Sequence, residues 1–257
     1  MSSDVIVVLQ VSDYIALVTM NRPPVNALSR AMRRRIVEVF DEISERDDVR
    51  VAVLTGAGKM FCAGADLKDR PDANRKGDFL DHNRVTRETT NAIRECTKPV
   101  IAAVNGPALG AGMGLMAACD IFYASEDAVF AMPEINVGLA GGASMLRTIL
   151  GRSLSRRMFY TGMKVSAAEL YRRGVIEACT KPEDLLPEAM KLAEEIASKS
   201  PLAIGMAKNA SNMVDLMPQR DAYRFEQNFT VALSKTEDAK EARMAFLEKR
   251  KPEFKGR

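Results

Sequence analysis

The chain has 257 residues, 47% of them apolar and 28% charged, which is the balance of a soluble globular protein with ample material for a core, as one large domain or a core with a smaller appendage. A formal charge of +3 is too small to indicate a nucleic acid or an acidic membrane surface by itself. Cysteines at 62, 96, 119 and 179 lie too far apart for a C-x-x-C redox or zinc pattern, and any metal, Ser-His-Asp or Cys-His chemistry would depend on the single imidazole of His82.

The opening Met1-Ser2-Ser3-Asp4 has neither a basic start nor an apolar run, so a cytoplasmic protein without a signal peptide is expected. Val5 to Leu9 and Tyr14 to Met20 read as two strands of a hairpin around Ser12-Asp13, leading into Asn21-Arg22-Pro23-Pro24. Ser29 is placed to cap a helix with Met32, Ile36, Val39, Phe40 and Ile43 at helical spacing. Arg30, Arg33, Arg34 and Arg35 are assigned to its other face. A solvated face is the commoner meaning of such a cluster, phosphate neutralisation the alternative. Val51 to Leu54 reads as a buried strand that ends in Thr55-Gly56-Ala57-Gly58. The small-residue turn Phe61-Cys62-Ala63-Gly64-Ala65-Asp66-Leu67-Lys68 follows, with amides free to face a ligand. From Asp69 to Glu88 charge alternates with Pro and Gly, the pattern of a mobile surface segment or lid that holds His82 as a solvated residue. Val85, Thr89, Ala92, Ile93 and Cys96 predict a helix returning to the next strand.

Val100 to Val104 is a β-branched run closed by Asn105-Gly106-Pro107. Gly110, Gly112 and Gly114 come next, opening an uncharged helix over Ala111 to Cys119 whose N-terminal amides would point at whatever sits by the glycines. Asn105, Pro107 and the glycines interrupt this segment too often for a membrane span. The glycine run alone is a weak nucleotide signal, and glycine used only for close helix packing is the bland alternative. Glu134 stands alone after Met132-Pro133. Gly138 to Gly142 reads as a bend, with helices predicted over Ser144 to Leu150, Ser153 to Tyr160 and Ser166 to Tyr171. Beyond Pro182 four more are predicted: Asp184 to Ser198, Pro201 to Val214, Arg220 to Ser234 and Thr236 to Lys249. Strand-helix alternation implies parallel crossovers, so the turns near Ala65 and Ala111 would face each other across one crevice.

Five motifs in order resemble the crotonase family, the enoyl-CoA hydratases and isomerases. They are Asn21-Arg22-Pro23 with Asn26-Ala27-Leu28, Phe61 to Leu67, Lys98-Pro99 through Asp120, Pro133-Glu134-Ile135 with Gly138-Leu139, and Ala245 to Arg250. The resemblance implies an α/β fold with a ββα spiral core over residues 1–198 and a helical, trimer-forming C-terminal region over 199–257, assembled as a homotrimer or a dimer of trimers. It also implies an acyl-CoA thioester substrate with no separate cofactor and no metal, and an oxyanion hole built from the amides of Ala65 and Ala111. Ala111 stands where glycine is usual; the added methyl leaves the N–H in place. Coenzyme A contacts are implied at Val25, Ala27, Ala63, Asp66, Leu67, Lys68 and Gly110, with Phe246 and Lys249 reaching a neighbouring subunit's nucleotide.

One departure bears on the reaction. Hydratases of the family carry two glutamates, and at the first of these positions this chain has Gly114, leaving Glu134. Hydration calls for one group to activate water and one to deliver a proton, whereas moving a double bond from the 3,4 to the 2,3 position needs one base that shuttles a proton from C2 to C4. The expected activity is therefore a Δ3,Δ2-enoyl-CoA isomerase. An atypical hydratase, a decarboxylase or a thioester hydrolase are the enzymatic alternatives, and an RNA-binding or non-catalytic CoA-ester-binding subunit the others.

Overall fold

The computed structural model describes residues 6–257; Val5 and the Met1 to Asp4 opening lie outside the described residues. Strands β1 (Val7–Ser12) and β2 (Ile15–Met20) form the expected hairpin. Asp13 and Tyr14 take φ of 50° and 65°, the left-handed pair that lets a two-residue turn follow the strands' twist. Helix α1 (Arg30–Glu45) is capped by Ser29, whose hydroxyl accepts from the Met32 amide at 3.2 Å.

Two expectations fail beyond this point. Arg33 is not on the solvated face: it is 3% exposed, in the same buried stripe as Met32, Ile36 and Phe40. Nor is the whole stretch from Asp69 to Glu88 a loose surface segment. After β3 (Val51–Gly56), helix α2 (Asp78–Glu95) begins ten residues before Glu88 and carries a half-buried His82, so only the residues before Asp78 lie outside regular structure. Charge that looked like a disorder signal is used in pairs. Arg30 meets Asp78 at 2.7 Å, Arg34 meets Asp81 at 2.7 Å, and the Arg30 amide donates to the Asp69 carboxylate, tying α2 to the first turns of α1. The guanidinium beside Asp78 holds its carboxyl down at about 2.

The chain continues through β4 (Val100–Val104), β5 (Ala108–Leu109), α3 (Ala111–Ala118), β6 (Ile121–Ser125) and β7 (Val129–Ala131). A short 3-10 helix (Pro133–Val137) then leads to α4 (Ala143–Ile149), α5 (Arg152–Thr161), β8 (Val165–Ser166), α6 (Ala167–Arg172) and β9 (Ala178–Thr180). Strands β1, β2, β3, β4, β6 and β9 form one sheet in that order, parallel after the first pair; β5, β7 and β8 form a second. Parallel bridges Leu28↔Ala65 and Cys62↔Ala108 extend the small layer toward the N-terminus. Each turn of the chain thus supplies one strand to the large sheet and a short one to the small layer before its helix, which is the ββα spiral.

Helix α7 (Pro182–Ala197) covers one face of the large sheet. Strand β3 shows the consequence of a two-residue period: Val51 and Val53 pack under Leu185, Ala189 and Ala193, while Ala52 and Leu54 point into the main core with Phe40, Met113 and Phe130. Helices α8 (Pro201–Val214), α9 (Gln219–Leu233) and α10 (Glu237–Glu248) follow. Buried Lys208 of α8 donates to Asp120 Oδ2 at 2.8 Å and to the Ile93 carbonyl, anchoring this region at the end of α3.

Candidate active site

Two turns, one after β3 and one after β5, are held side by side by backbone hydrogen bonds. Leu28 N–H donates to Gly64 O and Leu28 O accepts from Asp66 N–H, a parallel bridge that directs the Ala65 amide away from Leu28. On the other side, Cys62 N–H donates to Pro107 O and Leu109 N–H to Cys62 O. Gly64, at φ 94°, allows the closest approach: a Cβ there would sit 2.7 Å from Leu109 O and 3.4 Å from Ala111 N. Ala65 and Ala111 are therefore held on adjacent turns. Ala111 is the first residue of α3, where a helix amide has no acceptor of its own and the dipole is positive. Neither amide has a hydrogen-bond acceptor among the described residues.

Gly110, which caps α3, and Gly112 and Gly114 within it have different reasons. Gly112 rests on the Cys62 backbone, where a side chain would collide with the Cys62 carbonyl. Gly110, at φ 53°, makes room for Glu134: a Cβ would strike its Oε1. Gly114 has no such neighbour, since a Cβ there would meet only Met145 Cγ, at 3.9 Å. It lies four residues beyond Gly110, and its N–H donates to Gly110 O at 3.1 Å. Gly110→Ala should therefore lower Tm, because alanine is strained at this φ, and should displace the carboxylate, so that kcat falls at least about tenfold with a smaller change in KM; a thermal scan and steady-state kinetics on the turned-over acyl-CoA check this.

Glu134 sits on the 3-10 helix, with its Oε2 buried and unpartnered among the described residues. Burial pushes its carboxyl above the ordinary carboxylate range, opposed in part by a hydrogen bond with its own backbone. A desolvated carboxylate against Gly110, the residue before the Ala111 amide, is a candidate base beside a candidate oxyanion donor. Cys62 is no competing nucleophile. Its thiol is buried, accepts from the Gly64 amide at 3.4 Å, and is pushed up to about 11 by burial.

The positions implied for coenzyme A form the rim of the same turns. Val25 O accepts from Ala63 N–H at 3.0 Å, and Ala27 O accepts from Arg22 Nη1 at 2.9 Å. Asp66 accepts from the Lys68 amide at 2.9 Å and pairs with Arg22 at 2.6 Å, so its carboxylate braces the turn. Leu67 is 64% exposed, and Lys68 is exposed beside it. Phe246, 83% exposed, and Lys249 lie on α10 and at its end, with no hydrogen bond or ion pair to these turns among the described residues. Sequence reasoning gave no structural role to Arg22 and Asn26. Asn26 is buried, with its side chain donating to Ala57 O and Met60 O and accepting from the Arg22 amide. The only signal was their place in the first motif. Cavities of about 530 Å³ beside Asp120 and Lys208 and about 700 Å³ beside Tyr14 and Arg50 are not lined by Glu134. The candidate site is marked by the two amides and the carboxylate, not by these hollows.

The sequence profile of the family described as enoyl-CoA hydratase/isomerase matches residues 10–257. The chain belongs to this family. Among its relatives, YngF of Bacillus subtilis, which carries the enoyl-CoA hydratase/isomerase name, is 37% identical over 95% of this chain and 96% of its own. A methyl-dioxo-hexahydroindene-carboxyl-CoA hydrolase of Mycobacterium tuberculosis is 35% identical over 91% and 95%. The crystal structure of an enoyl-CoA hydratase from Mycobacterium smegmatis superposes with a TM-score of 0.92 at 32% identity, covering 97% of this chain and 98% of that one. Membership of the crotonase superfamily, the crotonase fold and the ordering of the motifs all agree with the reading from sequence. The protein is an acyl-CoA enzyme of this family, whose relatives carry names for more than one reaction.

Proposed function

We propose that the protein is a Δ3,Δ2-enoyl-CoA isomerase in which Glu134 is the single proton shuttle. The observation that carries this reading is one buried, unpartnered carboxylate, Glu134, packed against Gly110, together with a glycine at 114 where hydratases of the family carry a second glutamate. The thioester oxygen accepts from Ala65 N–H and Ala111 N–H. Glu134 removes a proton from C2, the electron pair of that C–H bond moves into the C1–C2 bond, and the carbonyl π electrons move onto the oxygen. As the enolate collapses, the 3,4 π electrons take the same proton back from Glu134 at C4, leaving a 2,3 double bond and an ionised carboxylate. Each amide donor is worth about 10²–10³ in rate if it strengthens as the charge arrives.

Hydration is the second reading, favoured by the enoyl-CoA hydratase name of the M. smegmatis neighbour. With Glu134 alone, one carboxylate would have to activate water and also supply the α-proton. Assay of the purified protein with matched 3-enoyl and 2-enoyl esters decides between them. The isomerase reading expects the 3-enoyl ester to be converted with little hydration of the 2-enoyl ester. Efficient hydration of the 2-enoyl ester without isomerisation would overturn it. Assembly as a trimer through the C-terminal helices is part of the same proposal. Exposed Leu216, Tyr223 and Val231 support it, as does the absence of any buried residue in α9.

A further inference from the structure

Among the described residues, Arg33 is a buried cation without an ion pair. Arg33 is 3% exposed, and its side chain makes no hydrogen bond or ion pair among the described residues. The other arginines at this end of α1 behave differently: Arg30 pairs with Asp78 and Arg34 with Asp81. Asp69, the nearest attractive carboxylate, is engaged by the Arg30 amide instead. An ionised guanidinium taken out of water without a partner is costly, and burial does pull Arg33 down from its ordinary value. Arginine cannot escape that cost by deprotonating at neutral pH.

Its direction follows from the fold. Side chains on a helix lean toward its N-terminus, so the guanidinium lies over the first turn of α1, close to the Leu28↔Ala65 bridge. Its electrostatic neighbours agree: the Cys62 thiol, under the turn that carries Ala65, and Asp69 on one side, the His82 imidazole of α2 on the other. Arg33 thus sits in the wall formed by α1, α2 and the oxyanion turn, one helical turn into α1. The Ala65 turn, where the proposed function places the thioester oxygen, borders the same wall through the Leu28↔Ala65 bridge.

We propose that Arg33 recognises a carboxylate at the distal end of the acyl chain, so that the preferred substrates are CoA thioesters of dicarboxylic acids. The assignment rests on the acyl-CoA site proposed above and names its substrate class. A carboxylate supplies the two acceptors that a guanidinium fork takes in parallel, and the dry surroundings strengthen the pair. A methyl-ended chain leaves the cation as it is.

Calorimetric binding of saturated, unreactive esters tests this apart from turnover: succinyl- to suberoyl-CoA against butanoyl- to octanoyl-CoA. Coenzyme A is common to both series, so its own phosphates cancel. The wild type should bind the best carboxylate-ended ester roughly 10- to 100-fold tighter than its methyl-ended counterpart. Arg33→Met should abolish that preference and raise Tm, because an unpaired buried charge is removed; Arg33→Lys should keep part of the preference. A residue with only a structural role would instead lower Tm on loss without changing the ratio. Equal binding of the two series by the wild type, or a preference that survives in Arg33→Met, overturns the assignment. A carboxylate preference with no turnover of any 3-enoyl ester would leave Arg33's role intact and remove the isomerase reading. Isomerisation of methyl-ended esters with no carboxylate preference would do the opposite.

Discussion

Glu134→Gln should lower kcat on a 3-enoyl-CoA by about 10²–10⁴-fold, the range expected for loss of a positioned acid–base group, while KM changes much less. The amide pair and the binding surface stay in place, so the variant should still bind the substrate. Its stability should move the other way. Burial holds Glu134 above the ordinary carboxylate range in the folded protein, so ionising it there costs more than in the unfolded chain. The sign is that of a raised group: stability from the protonated form is fully present below the unfolded pKa and is lost as pH rises through the folded one. Glutamine carries no such loss, and Tm at neutral pH should rise. In the wild type, kcat/KM should increase with pH through an apparent pKa above the ordinary carboxylate range. A pH–rate profile and a thermal scan check the two halves separately. A glutamine variant with full turnover would remove Glu134 from the mechanism.

How much of this was readable before the coordinates depended on whether a residue's role was local. Ser29 as a cap, the hairpin at Asp13, the buried strand at Val51 and the glycine turn before α3 follow from short-range chemistry, and the structure has them. Glu134 was legible because a lone carboxylate in an apolar setting has few ordinary uses. Arg33 was misplaced because residue type outweighed geometry. Position 33 is seven residues before Phe40, two turns away on the same helical face, and that face is buried by α2 and the Cys62 turn. No local rule gives the packing of α2 on α1, which rests on pairs such as Arg30–Asp78 across 48 residues of chain. For the same reason a charged segment that looked loose supplies the first turns of an ordered helix. The three glycines looked alike in sequence. Only their surroundings separate the two with steric reasons, Gly110 and Gly112, from Gly114, which has space for a Cβ in ordinary contact with Met145.

That space makes Gly114 the position where the largest change of reaction is expected. Gly114→Glu should convert the protein into a hydratase, with hydration of a 2-enoyl-CoA rising by about 10²-fold or more over the wild type. The new Cβ meets only Met145 Cγ, at ordinary van der Waals distance, so the first atom of the side chain makes no clash. Helical side chains lean toward the N-terminus, so the added carboxyl is directed back toward the first turn of α3 and the Ala111 amide. Two carboxyl groups sharing a poorly solvated site cannot both ionise freely, and one pKa is driven up. The pair then holds one proton between an acid and a base, the division of labour that water addition needs and that Glu134 alone lacks. Isomerisation should persist, since its base and its amides are untouched. Helix propensity works in the same direction, because Glu is better than Gly inside a helix by roughly 0.5–1 kcal/mol, offsetting part of the cost of burying a second carboxyl. Loss of the enoyl-thioester absorbance measures hydration directly. A well-folded Gly114→Glu protein that binds 2-enoyl-CoA yet hydrates it no faster than wild type would mean that the missing glutamate is not what separates this site from a hydratase.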